Sequence, residues 1–284
     1  MPCVADLLIG SKMWAVCREV FVKQPAFSEI ADLIQQSNRI LFITGAGISA
    51  DSGLPTYRGI GGLYDDAHTE EGIPIEVALS GEMLQQRPEL TWKYLLQVER
   101  ACRGAGFNLA HRLIAQIETL KPQSWVLTQN IDGFHRAAGT RQLIEIHGKV
   151  GELLCGKCHY HQGALDYSHI ETVPVCPRCH SIMRPNVVLF GEMLPEEAVS
   201  VLHREMVRGF DLVFSIGTTS VFPYISQPVF EARRWNAKVI EINPGITEVS
   251  PFVHYKLPMR AVEAMENIWR ALGQPLPERD TAIN

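Results

Sequence analysis

Alternation constrains this chain more than any other feature of its sequence. Short apolar, β-rich runs at 39–43, 125–127, 143–146, 212–216 and 239–242 are separated by stretches with apolar residues at helical spacing, at 109–120, 195–207 and 225–235. Ahead of the first run, Phe27, Ile30, Ala31, Leu33 and Ile34 predict a further helix. Strands alternating with helices build a parallel sheet covered on both faces, so the expected class is α/β with a Rossmann-like sheet. Such sheets carry ligands beyond the carboxyl ends of their strands, where this sequence places Gly45, Gln129, His147, Gly217 and Asn243.

Two segments interrupt the alternation. Residues 60–107 hold Gly-rich, acidic sequence and then helical stretches near 75–86 and 89–103, and residues 151–184 hold cysteines with little periodicity. Together they are expected to form a smaller zinc-binding and helical domain inserted into a main layer of 27–59, 108–150 and 185–272. Residues 1–26 read as an N-terminal extension and 273–284 as a C-terminal tail. The 284 residues are 46% hydrophobic, enough for one sizeable core and a satellite. Lys and Arg total 26 against 31 Asp and Glu, and a net charge of -5 offers phosphate backbones no general attraction, so nucleic acid is not an expected partner. Nor is a membrane, because no stretch approaches the roughly 20 apolar residues that span a bilayer. With no secretory signal either, the expected location is cytoplasmic. The oligomeric state has no signature in the sequence.

Four of the seven cysteines form Cys155-x-x-Cys158 and Cys176-x-x-Cys179, with seventeen residues between the pairs. An odd total and paired spacing argue for metal over disulfides. Four thiolates close a tetrahedral shell with no open position, so one structural zinc per chain is expected. A redox dithiol is the alternative, disfavoured by the second pair. His159, His161 and His180 lie nearby, but four thiolates already saturate the ion.

Gly45-Ala46-Gly47-Ile48-Ser49-Ala50 directly follows the first β-run and fits G-x-G-x-x-[G/A]. The first glycine permits a tight turn, the second lets backbone N–H groups approach a pyrophosphate, and the small Ala50 allows close packing. Alone, the pattern reads equally well as a plain strand-to-helix turn. Pro55 stops a regular helix, so the turn gives way to a loop able to cover a nucleotide, with Arg58 able to reach an anionic oxygen. Gln129, Asn130 and Asp132 follow the run at 125–127, placed either for polar ligand contacts or for ordinary turn chemistry. His147 ends the run at 143–146, and an imidazole titrating near neutrality suits a general base.

Residues 45–59, Gly-Ala-Gly-Ile-Ser-Ala-Asp-Ser-Gly-Leu-Pro-Thr-Tyr-Arg-Gly, resemble the signature of the sirtuin family. Segments 108–111 and 128–139, His147-Gly148, the cysteine pairs and 184–195 follow in that family's order, so the likeness spans roughly 27–272. The resemblance implies an NAD-dependent protein-lysine deacylase acting on acyl-lysine proteins or peptides. An acyl-lysine oxygen displaces nicotinamide from NAD, a histidine deprotonates a ribose hydroxyl, and water releases free lysine and O-acyl-ADP-ribose. It assigns catalysis to His147, as the base, and to Asn130, which shares the nicotinamide pocket with Asp132; Ile131 contacts the amide and Gln129 lies near the nicotinamide ribose. Gly45, Ala46, Gly47, Ser49, Ala50, Tyr57 and Arg58 belong to the cofactor turn and its loop, with Tyr57 where phenylalanine is usual. Gly217, Thr218 and Thr219 are similar to the family's segment at the adenosine ribose, one residue shorter before Pro223 than the common form, and Asn243 faces the same ribose. His111 and His135 lie in family motifs and are expected to be structural.

The resemblance also implies that 187–192 is an edge strand meeting the substrate main chain, through Val188, Leu189, Phe190, Gly191 and Glu192. In the sirtuin branch that removes succinyl and malonyl groups, a Tyr-x-x-Arg pair binds the distal carboxylate. Leu95 and Val98 stand at those positions here, on one helix face, and predict an apolar acyl pocket. A carboxylate buried there lacks a partner, so neutral acyl groups are the expected substrates. The rival activities are ADP-ribosyl transfer to protein and NAD hydrolysis; a third reading is a non-enzymatic NAD-responsive binding module.

Overall fold

The computed structural model describes residues 26–55, 69–164 and 166–277. In chain order the elements are α1 (Phe27–Gln36), β1 (Ile40–Thr44), α2 (Ala46–Ser49), α3 (Ile75–Ala78), α4 (Gly81–Gln86), α5 (Pro88–Cys102), α6 (Leu109–Leu120), β2 (Trp125–Thr128), α7 (Phe134–Ala137), β3 (Leu143–Glu145), β4 (Gly148–Cys155), β5 (His161–Gly163), β6 (Met183–Val187), α8 (Glu196–Arg208), β7 (Leu212–Ile216), α9 (Pro223–Glu231), β8 (Lys238–Ile242), β9 (Tyr255–Leu257) and α10 (Ala261–Ala271).

Six strands in the order β3-β2-β1-β7-β8-β9 form the main sheet, and every pairing in it is parallel. All residues of the central β1 and β7 are buried, which accounts for their largely apolar sequence, broken only by Thr44 and Ser215: a parallel strand covered on both faces has no wet side. Alternate side chains serve opposite cores. Ile40, Phe42, Phe214 and Ile240 pack with Ile30 of α1, Leu113 of α6 and Ile268 of α10. Leu41, Ile43, Val213 and Val239 pack with Leu202 of α8 and Val229 of α9. Because β1 lies between β2 and β7, the strand order reverses there, and a crevice opens at its carboxyl end.

The second sheet is antiparallel, in the order β5-β4-β6. One apolar cluster joins it to the helical segment through Leu90, Trp92, Leu95, Leu153, Cys155, Cys176 and Met183, and Trp92 Nε1 donates to the Met183 carbonyl at 3.1 Å. The helical and cysteine segments therefore share a core. This sheet begins at Gly148 and ends at Val187, beyond the divisions at 150/151 and 184/185 drawn from the sequence.

Local differences from the sequence expectation have local causes. The stretch 75–86 divides into α3 and α4, where Ser80 Oγ caps α4 by accepting the Met83 N–H at 3.0 Å. The helix expected at 225–235 runs from Pro223 to Glu231; Asn236 then takes φ 55 and the Ala237 N–H returns to the Ala232 carbonyl, turning the chain into β8. β9 has only three residues, too few to show a period. No helix among the described residues is long and apolar enough to cross a membrane.

Candidate active site

The turn after β1 is docked on the end of β7. The Gly45 N–H donates to the Ile216 carbonyl at 3.1 Å and the Gly47 N–H to the Gly217 carbonyl at 2.8 Å. A Cβ on Gly47 would lie 2.6 Å from Gly217 Cα, and one on Gly217, at φ +59, would lie 2.5 Å from the Ile48 nitrogen. These glycines are thus required by backbone-to-backbone approach. The Gly45 and Gly47 amides are thereby both committed to the chain at the end of β7. Ala50 begins a single 3-10 turn, and Tyr57 and Arg58 lie outside the described residues.

Beside this turn lies a cavity of about 410 Å³, whose wall includes Ala46, Ser49, Asn130, Ile131, Asp132 and Val98. Asn130 is buried; its Nδ2 donates to the Gly45 carbonyl at 3.1 Å and to Ser49 Oγ at 3.2 Å. Ser49 Oγ in turn donates to Asp132 Oδ2 at 2.7 Å, while Asp132 Oδ1 accepts the Phe134 N–H at 3.0 Å. Burial pushes the Asp132 carboxyl above its ordinary range, against these hydrogen bonds. His111 and His135 lie behind this network, both fully enclosed. Asn108 caps α6 in a reciprocal box with His111, and His135 Nε2 lies 2.9 Å from Thr44 Oγ1. Burial pushes His111 down to about 3 and His135 well below its ordinary value. Both rings are neutral near pH 7.

His147 sits just past β3, half-buried. Its Nδ1 is 3.0 Å from the Gln129 carbonyl, which can only accept, so Nδ1 carries the hydrogen and Nε2 is the basic nitrogen. Burial lowers the His147 pKa and the Gln129 contact opposes it, leaving the imidazole neutral near pH 7. The Gln129 side chain donates to Thr218 Oγ1 at 2.7 Å, and Asn243 Nδ2 donates to the Thr218 carbonyl at 3.1 Å. Thr219 is exposed, its carbonyl accepting the Glu248 N–H. The ends of β2, β3, β7 and β8 are therefore linked around one crevice. A residue not anticipated from sequence joins them: Tyr224 Oη lies 2.7 Å from His147 Nε2. Tyr224 is the second residue of α9, after Pro223, and nothing local distinguishes it from any residue of a helix's first turn.

The segment 188–192 is not the edge strand expected. Pairing ends at Val187; beyond it the Val188 N–H donates to the His147 carbonyl at 2.9 Å, and Phe190 makes a single bridge to Ser80. The reason is Glu192, which is held by the Arg184 guanidinium and accepts the Leu189 N–H at 2.9 Å, folding Leu189, Phe190 and Gly191 into a turn. Leu95 and Val98 also part company. Val98 is on the cavity wall, whereas Leu95 is buried in the small-domain core, so only one of the two faces the cavity. Three helical steps leave about 60° between such side chains, enough to separate core from cavity.

Cys155, Cys158, Cys176 and Cys179 bring their four Sγ atoms within 4.8 Å of one another. Tetrahedral Zn–S bonds of about 2.3 Å imply Sγ separations of about 3.8 Å, so the set fits one structural zinc. His159 and His180, just after each pair, take φ 55 and 58 and return their N–H groups to the Cys155 and Cys176 carbonyls, turning the chain back in two matching knuckles.

Fold and site together define a Rossmann-type protein with a polar crevice at the strand-order switch and a four-cysteine module inserted beside it. The Sir2 family profile matches residues 45–223. The "NAD-dependent protein deacylase 2" of Pseudomonas aeruginosa is 50% identical over 242 residues, covering 84% of this chain and 94% of that relative. The protein of that name from Pseudomonas syringae pv. tomato is 49% identical, covering 84% and 98%. Among solved structures, a Sir2 homolog in complex with NAD matches with a TM-score of 0.78 at 32% identity, covering 88% of this chain and 95% of that one. The chain belongs to the Sir2 family.

Proposed function

We infer that this protein is an NAD-dependent protein-lysine deacylase that yields nicotinamide, O-acyl-ADP-ribose and free lysine. The observation that carries the reading is His147: its Nδ1–H is held by Gln129, so a neutral imidazole presents a basic nitrogen at the crevice that Gly45, Asn130 and Thr218 border. The glycine contacts, and a largely apolar cavity with Ser49, Asn130 and Asp132 in its wall, fit the nicotinamide end of a dinucleotide. When bound, NAD supplies the electrophilic ribose carbon and the nicotinamide leaving group. Asn130 and Asp132 bind the carboxamide, with Ser49 fixing both side chains by hydrogen bonds. Ile131 backs the same site, its carbonyl held by the Val150 N–H at 2.9 Å. Gln129 faces the nicotinamide ribose, and Gly217, Thr218, Thr219 and Asn243 face the adenosine ribose. His147 takes the proton of a ribose hydroxyl after nicotinamide has left. The turn at 188–192 presents main chain to the acyl-lysine peptide, and Val98 borders the acyl side of the cavity. A zinc ion held by Cys155, Cys158, Cys176 and Cys179 would close a four-thiolate shell and fix the small domain.

The test is to incubate the protein with NAD and an acetyl-lysine peptide and identify the products by mass. O-acetyl-ADP-ribose with free lysine is the expected result. ADP-ribose without deacylation, or ADP-ribosylated peptide, would replace the reading with hydrolase or transferase activity. His147→Ala should lose the deacylation product by a factor of about 10²–10⁴ while still binding NAD.

A further inference from the structure

His147 is engaged at both ring nitrogens. Nδ1–H rests on the Gln129 carbonyl, and Nε2 accepts the Tyr224 hydroxyl at 2.7 Å. A substrate hydroxyl must therefore displace the Tyr224 oxygen or meet it before reaching the basic nitrogen. Ring contacts favour the position Tyr224 holds. The Tyr224 ring stacks on Phe222 at 5.5 Å and 13°, and both rings stand edge-on to the imidazole at 85°. A phenol that donates to nitrogen still has oxygen lone pairs with which to accept a second hydrogen bond.

We propose that Tyr224 is a proton relay between the substrate hydroxyl and His147, an inference that rests on His147 being the base. In the step, the substrate O–H bond breaks as its proton bonds to Tyr224 Oη, while the Tyr224 proton moves to His147 Nε2. Tyrosine ends neutral and His147 ends as imidazolium, its Nδ1–H still on Gln129. The released electron pair stays on the substrate oxygen as the attacking nucleophile. The two transfers are concerted, since burial raises the Tyr224 pKa and disfavours a free phenolate.

Tyr224→Phe keeps the ring stack and removes only the hydroxyl. In the ligand-free protein, nitrogen NMR of the imidazole should show the His147 titration shifting in the variant, because Nε2 loses the Tyr224 hydroxyl as its partner in both the neutral and the protonated ring. Exchange of labelled nicotinamide into NAD with acetyl-lysine peptide present precedes the base step and should stay within about threefold of wild type. Formation of deacylated product should fall by about 10²-fold in kcat, with KM for NAD unchanged. An unchanged imidazole titration, wild-type product formation, or equal loss of exchange and product would overturn the relay. Should the variant not fold, the wild-type rate in H2O/D2O mixtures decides: two protons in flight bow the plot, and a straight line refutes the relay. Product formation at the wild-type rate by His147→Ala would instead show that the base assignment had failed.

Discussion

Gly47→Ala sets local propensity against tertiary packing. Gly47 lies inside the four-residue α2, where alanine is favoured over glycine by about 0.8–1 kcal/mol. Packing argues the other way. The new Cβ would fall 2.6 Å from Gly217 Cα and 2.8 Å from the Gly217 carbonyl oxygen, whereas ordinary contact begins at 3.4 Å, so the turn and the end of β7 must part by about 0.8 Å. Backbone on both sides cannot rotate out of the way. Overpacking of this kind costs about 1–3 kcal/mol, and stretching the Gly47-to-Gly217 hydrogen bond costs about 1 kcal/mol more. The net expectation is a loss of about 1–3 kcal/mol. Activity should suffer more, because a displacement near 1 Å at a reacting site costs about 10²-fold. Urea unfolding and kcat/KM for NAD measure the two effects. A variant as stable as wild type and within a few-fold of its activity would show that the turn relaxes freely and that the packing argument is wrong.

Cys176→Ala should lower zinc content, melting temperature and activity together, since Cys176 is both a thiolate of the module and part of the core around Trp92; soluble, active protein without zinc by metal analysis would refute this. The buried His111 and His135 bind fewer protons folded than unfolded, so their stabilisation is complete above the unfolded pKa of about 6.5 and drains away as pH falls below it, for His111 down to about 3. His111→Gln should flatten the dependence of unfolding free energy on pH between about 6 and 5 by up to about 1.4 kcal/mol per unit, and an unchanged slope would rule out His111 as the titrating group. With Val98 on the cavity wall and Leu95 buried, acetyl and butyryl groups should be removed faster than succinyl from one peptide. Faster succinyl removal would overturn the apolar reading of the cavity.

What the sequence by itself determined is what short-range physics writes into short stretches. Burial on both faces makes β1 and β7 predominantly apolar, with Thr44 and Ser215 as their only polar residues, so the parallel sheet was readable before any contact was known. Metal geometry is equally local: two residues between thiols make a knuckle, and two knuckles make a zinc site. The glycine turn was visible too, but not the use of its amides, because the Gly217 carbonyl that takes the Gly47 N–H arrives from 170 residues away. Tertiary structure alone decided which of Leu95 and Val98 meets the cavity, since both fit one helix face. It also decided that the strand forecast at 187–192 lies instead at Met183–Val187, on the sheet edge where Pro185 is tolerated. Tyr224 is the extreme case. Its contact with His147 joins residues 77 apart, created only when the first turn of α9 packs over the end of β3, and no periodicity or spacing in either segment encodes that approach.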